Sequence, residues 1–340
     1  RCMPVLTWWT PSAVKGSTYR ILSQQGNEYS LGMKFNEEQV ISEISSIFSP
    51  LNLRNPRVII GIGDDAAVIA TDQHSVITTD MAIEDVHFKR EWSNAYEIGS
   101  KITVANLADV YAMGADPRYL VVALTLTGNE EMEWIKALAQ GIADTASKSD
   151  AVVVGGDLSR AEKIMISITA VGSSRLHITR SGARVGDSIY VSALPGWSRA
   201  GFEIISRNLP ESPAFAHALS QFKSPQLDPV VMRSFKSAHS LCDVSDSLMV
   251  QAEQMSKASL VSLEIDTKKI EKCDGFADLA AVAETIGCDV WDLILGGGED
   301  HVLLATGANL PGICIGRVVT GRGVKVLDMK KAPESWRHFN

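Results

Sequence analysis

Residues 97–128 read EIGSKITVANLADVYAMGADPRYLVVALTLTG, and the two halves of this stretch follow different periods. Ile98, Ile102, Ala105, Asp109 and Ala112 step by four and three, which predicts a helix over roughly 94–114 with Asp109 on an apolar stripe. PRYLVVALTLTG (117–128) then reads as a strand. A carboxylate on such a stripe is costly unless something compensates it. One arginine or a backbone partner would do so, and so would a cation shared with other carboxylates.

The same alternation of elements continues on both sides of this stretch. Upstream, RVIIGIGDDAAVIA (57–70) reads as a strand, a glycine turn and a second strand. SVITTDMAIEDVHF (75–88) is strand-like up to Asp80 and then loop. Before these, Val40, Ile41, Ile44, Ile47 and Phe48 mark a helix that starts soon after Met33. Residues 1–32 lack a signal peptide's sustained apolar core and read as a poorly ordered extension, with Met33 as the natural start. Downstream come a helix over 130–148, AVVVGGD (151–157) as a strand stopped by glycine, and KIMISITAVGSS (163–174) as another strand.

The second half opens near TRSGARVGDSIYVSALPG (179–196), where Gly-Asp precedes an alternating run. Segment 208–229, rich in proline and serine, reads as a surface crossing. LCDVSDSLMVQAEQMSKAS (241–259) enters a helix, SLVSLEID (259–266) is a strand and 276–286 a short helix. LILGGGEDHVLLAT, ICIGRVV and GVKVLDM complete the chain's apolar runs. The expected fold class is α/β or α+β, in two domains: 33–175, and 176–340 joined to it near 172–180.

Composition narrows the function classes. The chain has 340 residues, 45% of them hydrophobic and 21% charged, as in a globular protein of mixed class. It has no apolar run of about 18 residues, which argues against a membrane span. A formal charge of −8 argues against a nucleic-acid partner, which calls for a basic face. Its five cysteines are scattered without a CxxC pair, so neither a zinc site nor a disulfide framework is expected. A reducing cytosol is the default location, with Cys242 read as a small buried hydrophobe.

The informative feature is where the carboxylates lie. Asp64 and Asp65 follow VIIGIG, Asp80 follows VITT, Asp157 follows AVVVGG, Asp243 and Asp246 follow SLC, and Glu299 and Asp300 follow LILGGG. Strand ends on a rigid scaffold are common places for ligand sites. Two carboxylates about 4 Å apart repel by roughly 4 kcal/mol at an effective dielectric of 20. Five or six converging would need cations, and all-oxygen ligation favours magnesium over zinc. Glycine-rich loops beside magnesium suggest bound phosphates, although GGD or GGGE alone is more simply a tight turn. The GxxxxGK[ST] loop and the lysine motif of protein kinases are absent.

GIGDDAAV (61–68), TTDMAIEDVHF (78–88), VANLADVYAMGADP (104–117), GGD (155–157), TRSGARVGD (179–187), DVSDSL (243–248) and GGGED (296–300) occur in one chain order. Together, over 33–340, they resemble the thiamine-monophosphate kinase family of the aminoimidazole-ribonucleotide-synthetase-like superfamily. The resemblance implies a two-domain α/β fold whose N-terminal half binds ATP and magnesium and whose N-terminal sheets form the core of a homodimer. It implies ATP-dependent phosphorylation of thiamine monophosphate. By motif, Asp65, Thr78, Thr79, Asp80, Asp109, Asp157, Asp243 and Asp246 would hold magnesium. Gly156, Asp157, Arg180 and Ser245 would contact ATP, and His87, Glu299 and Trp336 would hold thiamine phosphate. Asp65, Asp157 and Asp246 would be closest to the transfer itself.

The sequence departs from the family pattern at Ser247, Asp85, Leu158 and His301, where Gly, Gly, Thr and Tyr are usual. None removes an expected metal ligand. Another ATP-using synthetase of the superfamily, or a degenerate nucleotide-binding dimer, are the competing expectations.

Overall fold

The computed structural model describes residues 37–60, 68–69, 74–210 and 212–329. The expectations for residues 1–32, Asp64, Asp65 and Trp336 lie outside them. The chain runs α1 (Glu37–Arg54), β1 (Val58–Ile60), β2 (Val68–Ile69), β3 (His74–Ile83), α2 (Ala95–Ala112), β4 (Asp116–Leu126), α3 (Met132–Lys148), β5 (Val152–Arg160) and β6 (Met165–Ser174). It continues through β7 (Ser188–Val191), α4 (Trp197–Ser206), α5 (Ala216–Lys223), α6 (Pro229–Ser234), β8 (Ser240–Asp243), α7 (Leu248–Ser259) and β9 (Ser262–Asp266). The last elements are α8 (Thr267–Ile270), α9 (Phe276–Ile286), α10 (Val290–Gly296), β10 (Leu303–Gly307), β11 (Ile313–Val319) and β12 (Gly323–Leu327).

Two mixed sheets organise the α/β fold: a four-stranded one in the order β3-β6-β4-β5 and a six-stranded one in the order β12-β9-β11-β7-β10-β8. Strands β4 and β5 pair in parallel, as do β12 and β9, and the other pairs within these sheets are antiparallel. In β6, Ile166, Ile168 and Ala170 are buried while Ser167, Thr169 and Val171 are less so, the alternation that a one-sided core imposes. That buried face packs on α2. A capping box starts α2: Asn94 Oδ1 accepts from Glu97 N–H and Glu97 Oε2 accepts from Asn94 N–H, both at 2.9 Å.

The helix α2 also packs on β8, so it lies between the two sheets. Alternation in β8 shows how. Leu241 belongs to the core shared with α2, whereas Cys242 faces the core of the helices behind the six-stranded sheet. Asp243, two residues beyond Leu241, therefore turns toward α2. This one parity relation brings the second half's carboxylate to the first half's helix.

Several sequence expectations need correction. Glycines 155 and 156 do not stop β5, which continues to Arg160; they sit beside a register irregularity, and a Cβ at Gly156 would collide with the Val122 carbonyl. The 208–229 segment contains α5 rather than a plain crossing, because Ala218 and Phe222 bury one face of it. Leu293–Gly296 end helix α10, so Glu299 and Asp300 follow a helix and precede β10.

Candidate active site

Two strands, β3 and β8, and the turn that carries His301 converge beside α2. From β3, Thr78 and Asp80 face the helix, because residues two apart in a strand share a side. Thr78 Oγ1 donates to Asp109 Oδ2 at 2.7 Å, and Asp80 N–H donates to Asn106 Oδ1 at 3.2 Å. Asp243, only 2% exposed, comes from the end of β8. It lies 3.5 Å from the Nδ1 of His301, a residue that the sequence reading noted only as a departure.

Helix α2 is buried almost all round, and Asp109 lies on its least buried face together with Lys101 and Ala105. The predicted apolar stripe thus differs from the observed one. Ile98, Ile102 and Ala112 are core, while the 101–105–109 row opens onto the site.

Burial and mutual repulsion raise two of these carboxyls. Burial pushes Asp109 up to about 6, reinforced by Asp243 and Asp80 and opposed by the Thr78 hydroxyl. Burial also raises Asp80, with His301 opposing and Asp243 adding. Burial alone would lower the His301 ring, but its hydrogen bond with Asp243 and that carboxylate's charge hold it above the ordinary value. These groups feel one another's charge across three elements.

A second cluster lies further along the same helix face. Lys101 Nζ donates to Glu299 Oε2 at 2.9 Å. Burial would raise the Glu299 carboxyl, yet Lys101, with help from His301 and His87, holds it below the usual range. His87 Nδ1 accepts from Ile83 N–H at 3.1 Å, so a neutral ring carries its proton on Nε2.

The segment carrying Glu299 is clamped onto the DVSDS turn. Glu299 N–H donates to Ser245 O at 2.7 Å and His301 N–H to Val244 O at 3.1 Å. A Cβ at Gly298 would collide with the carbonyls of Ser245 and Asp246. Gln251 Nε2 donates to Ser245 Oγ at 3.3 Å. Asp246 sits half-buried in this turn. Arg180 lies against Cys242, whose thiol burial pushes up to about 12.

Other expected residues stand apart within one chain. Thr79 faces the opposite side of the sheet, bonded to Ile168 O at 3.1 Å and Thr169 Oγ1 at 3.2 Å. Gly156 and Asp157 lie on β5, three strands from β3, or about 14 Å at ordinary strand spacing. Asp157 accepts from Ser159 Oγ at 3.3 Å and is exposed. Among the described residues, no three His, Cys, Asp or Glu side chains form a ready-made cation cage. No helix among them is long and apolar enough to cross a membrane.

Comparison with known proteins decides the family. Residues 63–174 match the AIR synthase related protein, N-terminal domain. The thiamine-monophosphate kinase of Corynebacterium glutamicum is 33% identical over 297 residues, covering 82% of this chain and 88% of that protein. The chain belongs to the thiamine-monophosphate kinase family. Solved structures agree with this membership. The enzyme of that name from Stenotrophomonas maltophilia K279a superposes with a TM-score of 0.75 at 26% identity, over 84% of this chain and 95% of that one. AaThiL complexed with AMPPCP and TMP gives 0.73 at 30% identity, over 91% of this chain and all of its own.

Proposed function

We propose that this chain transfers the γ-phosphoryl group of ATP to thiamine monophosphate, giving thiamine diphosphate and ADP. The observation that carries the reading is the convergence of Asp80, Asp109 and Asp243 from three elements, beside the Lys101–Glu299 pair on the same helix face. Family membership and the AaThiL complex with AMPPCP and TMP, an ATP analogue and the acceptor, support it.

The donor set fits magnesium: it consists of carboxylate and hydroxyl oxygens, the ligand type that this hard cation takes. Asp80, Asp109 and Asp243 would hold the ions with Thr78 and Asp246. Magnesium usually takes one or two carboxylates and completes its shell from phosphates and water. When bound it neutralises charge on the polyphosphate and on the group in transfer.

The chain's own residues position the reactants. Thr78 holds Asp109 by its hydroxyl, and Asn106 fixes the backbone at Asp80. Ser245 and Arg180 flank the nucleotide, while His87 and Glu299 hold the acceptor. The acceptor phosphate is already anionic, so an oxygen of it attacks the γ-phosphorus as the bond to ADP breaks, without a general base or a phospho-enzyme.

We further assign a homodimer. The four-stranded sheet's outer face exposes Ile77 (67%), Met81 (47%) and Val121 (39%), apolar groups suited to a second copy. Thr79 and Asp157 lie on this face, so any part they play belongs to the assembled dimer.

Incubation of the protein with magnesium, ATP and thiamine monophosphate tests the activity. Thiamine diphosphate and ADP should form in equal amounts, and ATP binding without product would favour a degenerate nucleotide-binding protein. The Asp243→Asn variant should lose about 10²–10³ in kcat, the equivalent of several kcal/mol of charge stabilisation, while remaining folded. Near-normal turnover would remove Asp243 from the site.

A further inference from the structure

Glu299 is fixed at its backbone but not, by that alone, at its carboxylate. Its φ of 63° and that of His301 at 52° are left-handed, and Asp300 between them is held through both oxygens: Oδ2 accepts from Gly196 N–H at 2.7 Å and Oδ1 from Ser198 N–H at 2.9 Å. With the Glu299 N–H bonded to Ser245 O, the direction of its Cα–Cβ bond is set. The remaining freedom is in the side-chain torsions of a group that is 43% exposed. Lys101 removes it. Its ammonium bonds Glu299 Oε2 at 2.9 Å and lies 4.2 Å from the centroid of the Phe222 ring. The lysine side chain is itself only 14% exposed.

The geometry points to Lys101 as a positioning residue for the acceptor end of the site, one that aims the Glu299 carboxylate at the substrate. Lys101 engages Oε2, so Oε1 is available to an N–H donor or cationic ring of the ligand. Thiamine monophosphate carries both an aminopyrimidine and a thiazolium. Lys101 stands eight residues before Asp109 on one helix, about 12 Å along its axis. A single rigid element therefore sets the spacing between the carboxylate end and the acceptor end. A long lysine with little exposure is suited to this because its ring contact and its ion pair together fix the position of its ammonium.

The inference rests on the proposed kinase reading, and its test separates the two. KM for thiamine monophosphate, KM for ATP, kcat and melting midpoint are measured for the wild type, Lys101→Met, Lys101→Arg, Glu299→Gln and the double variant Lys101→Met/Glu299→Gln. Lys101→Met should raise KM for thiamine monophosphate about 10- to 100-fold, the scale of a charged hydrogen bond, with KM for ATP within about twofold. Lys101→Arg should recover most of the loss. The double variant should be no worse than Glu299→Gln alone, because the two residues act as one unit. Wild-type turnover with an unchanged KM in Lys101→Met overturns the assignment alone. Equal losses for both substrates with a lowered melting midpoint do the same, in favour of a merely structural pair. No product from the wild type overturns the kinase reading and this assignment with it.

Discussion

At the residue scale, two of the departures from the family pattern, Ser247 and Asp85, have separate physical explanations. Ser247 has φ −173° and ψ 160°, extended backbone that any residue adopts, and its Oγ accepts from Val250 N–H at 3.1 Å to cap α7. Glycine is not required there. Ser247→Gly should leave kcat within about twofold and cost a few tenths of a kcal/mol of helix stability. A marked rise in turnover would show instead that the serine obstructs the phosphate. Asp85 differs: its φ of 66° is left-handed, which accounts for glycine in the family, and aspartate tolerates that region better than most side chains. It also pairs with Lys163 at 3.0 Å.

At the element scale, α4 begins on a borrowed cap. Gly196 offers no side chain, and Asp300 supplies both acceptors from a distant turn. Burial pushes Asp300 up to about 6 against these two bonds. A folded-state pKa above the unfolded value means the group's stabilising contribution is complete below about pH 4 and lost as pH rises through about 6. Urea unfolding should show the wild type losing on the order of 2–3 kcal/mol relative to Asp300→Asn between pH 4 and 7. Parallel curves would refute the shift. Periodicity made α2, β4, α3, β6, α7 and α9 legible in advance. It misjudged β5 because glycine there serves a close strand approach, and it missed α5 because a proline- and serine-rich surround masks two buried residues.

At the scale of the whole molecule, the open sheet face and the site belong to one argument. If Met81 and Val121 meet a second copy, sedimentation should give twice the chain mass. Met81→Lys combined with Val121→Lys should give a monomer with an intact melting transition. A wild type that sediments as a monomer would overturn the dimer.

The acidic motifs, their chain order and the periods of the main elements lie in the sequence itself, because apolar spacing and residue chemistry are local properties. They sufficed for the α/β class, the family resemblance and the list of candidate carboxylates. Only the tertiary structure decided which of these share a site. Strand parity turns Thr78 and Asp80 inward and Thr79 outward, places Asp157 three strands away, and points Asp243 at α2. His301 and Lys101 acquired meaning only through their partners, Asp243 and Glu299, 58 and 198 residues away along the chain. Spacing along a chain specifies which face of an element a residue occupies, and packing alone specifies what that face meets.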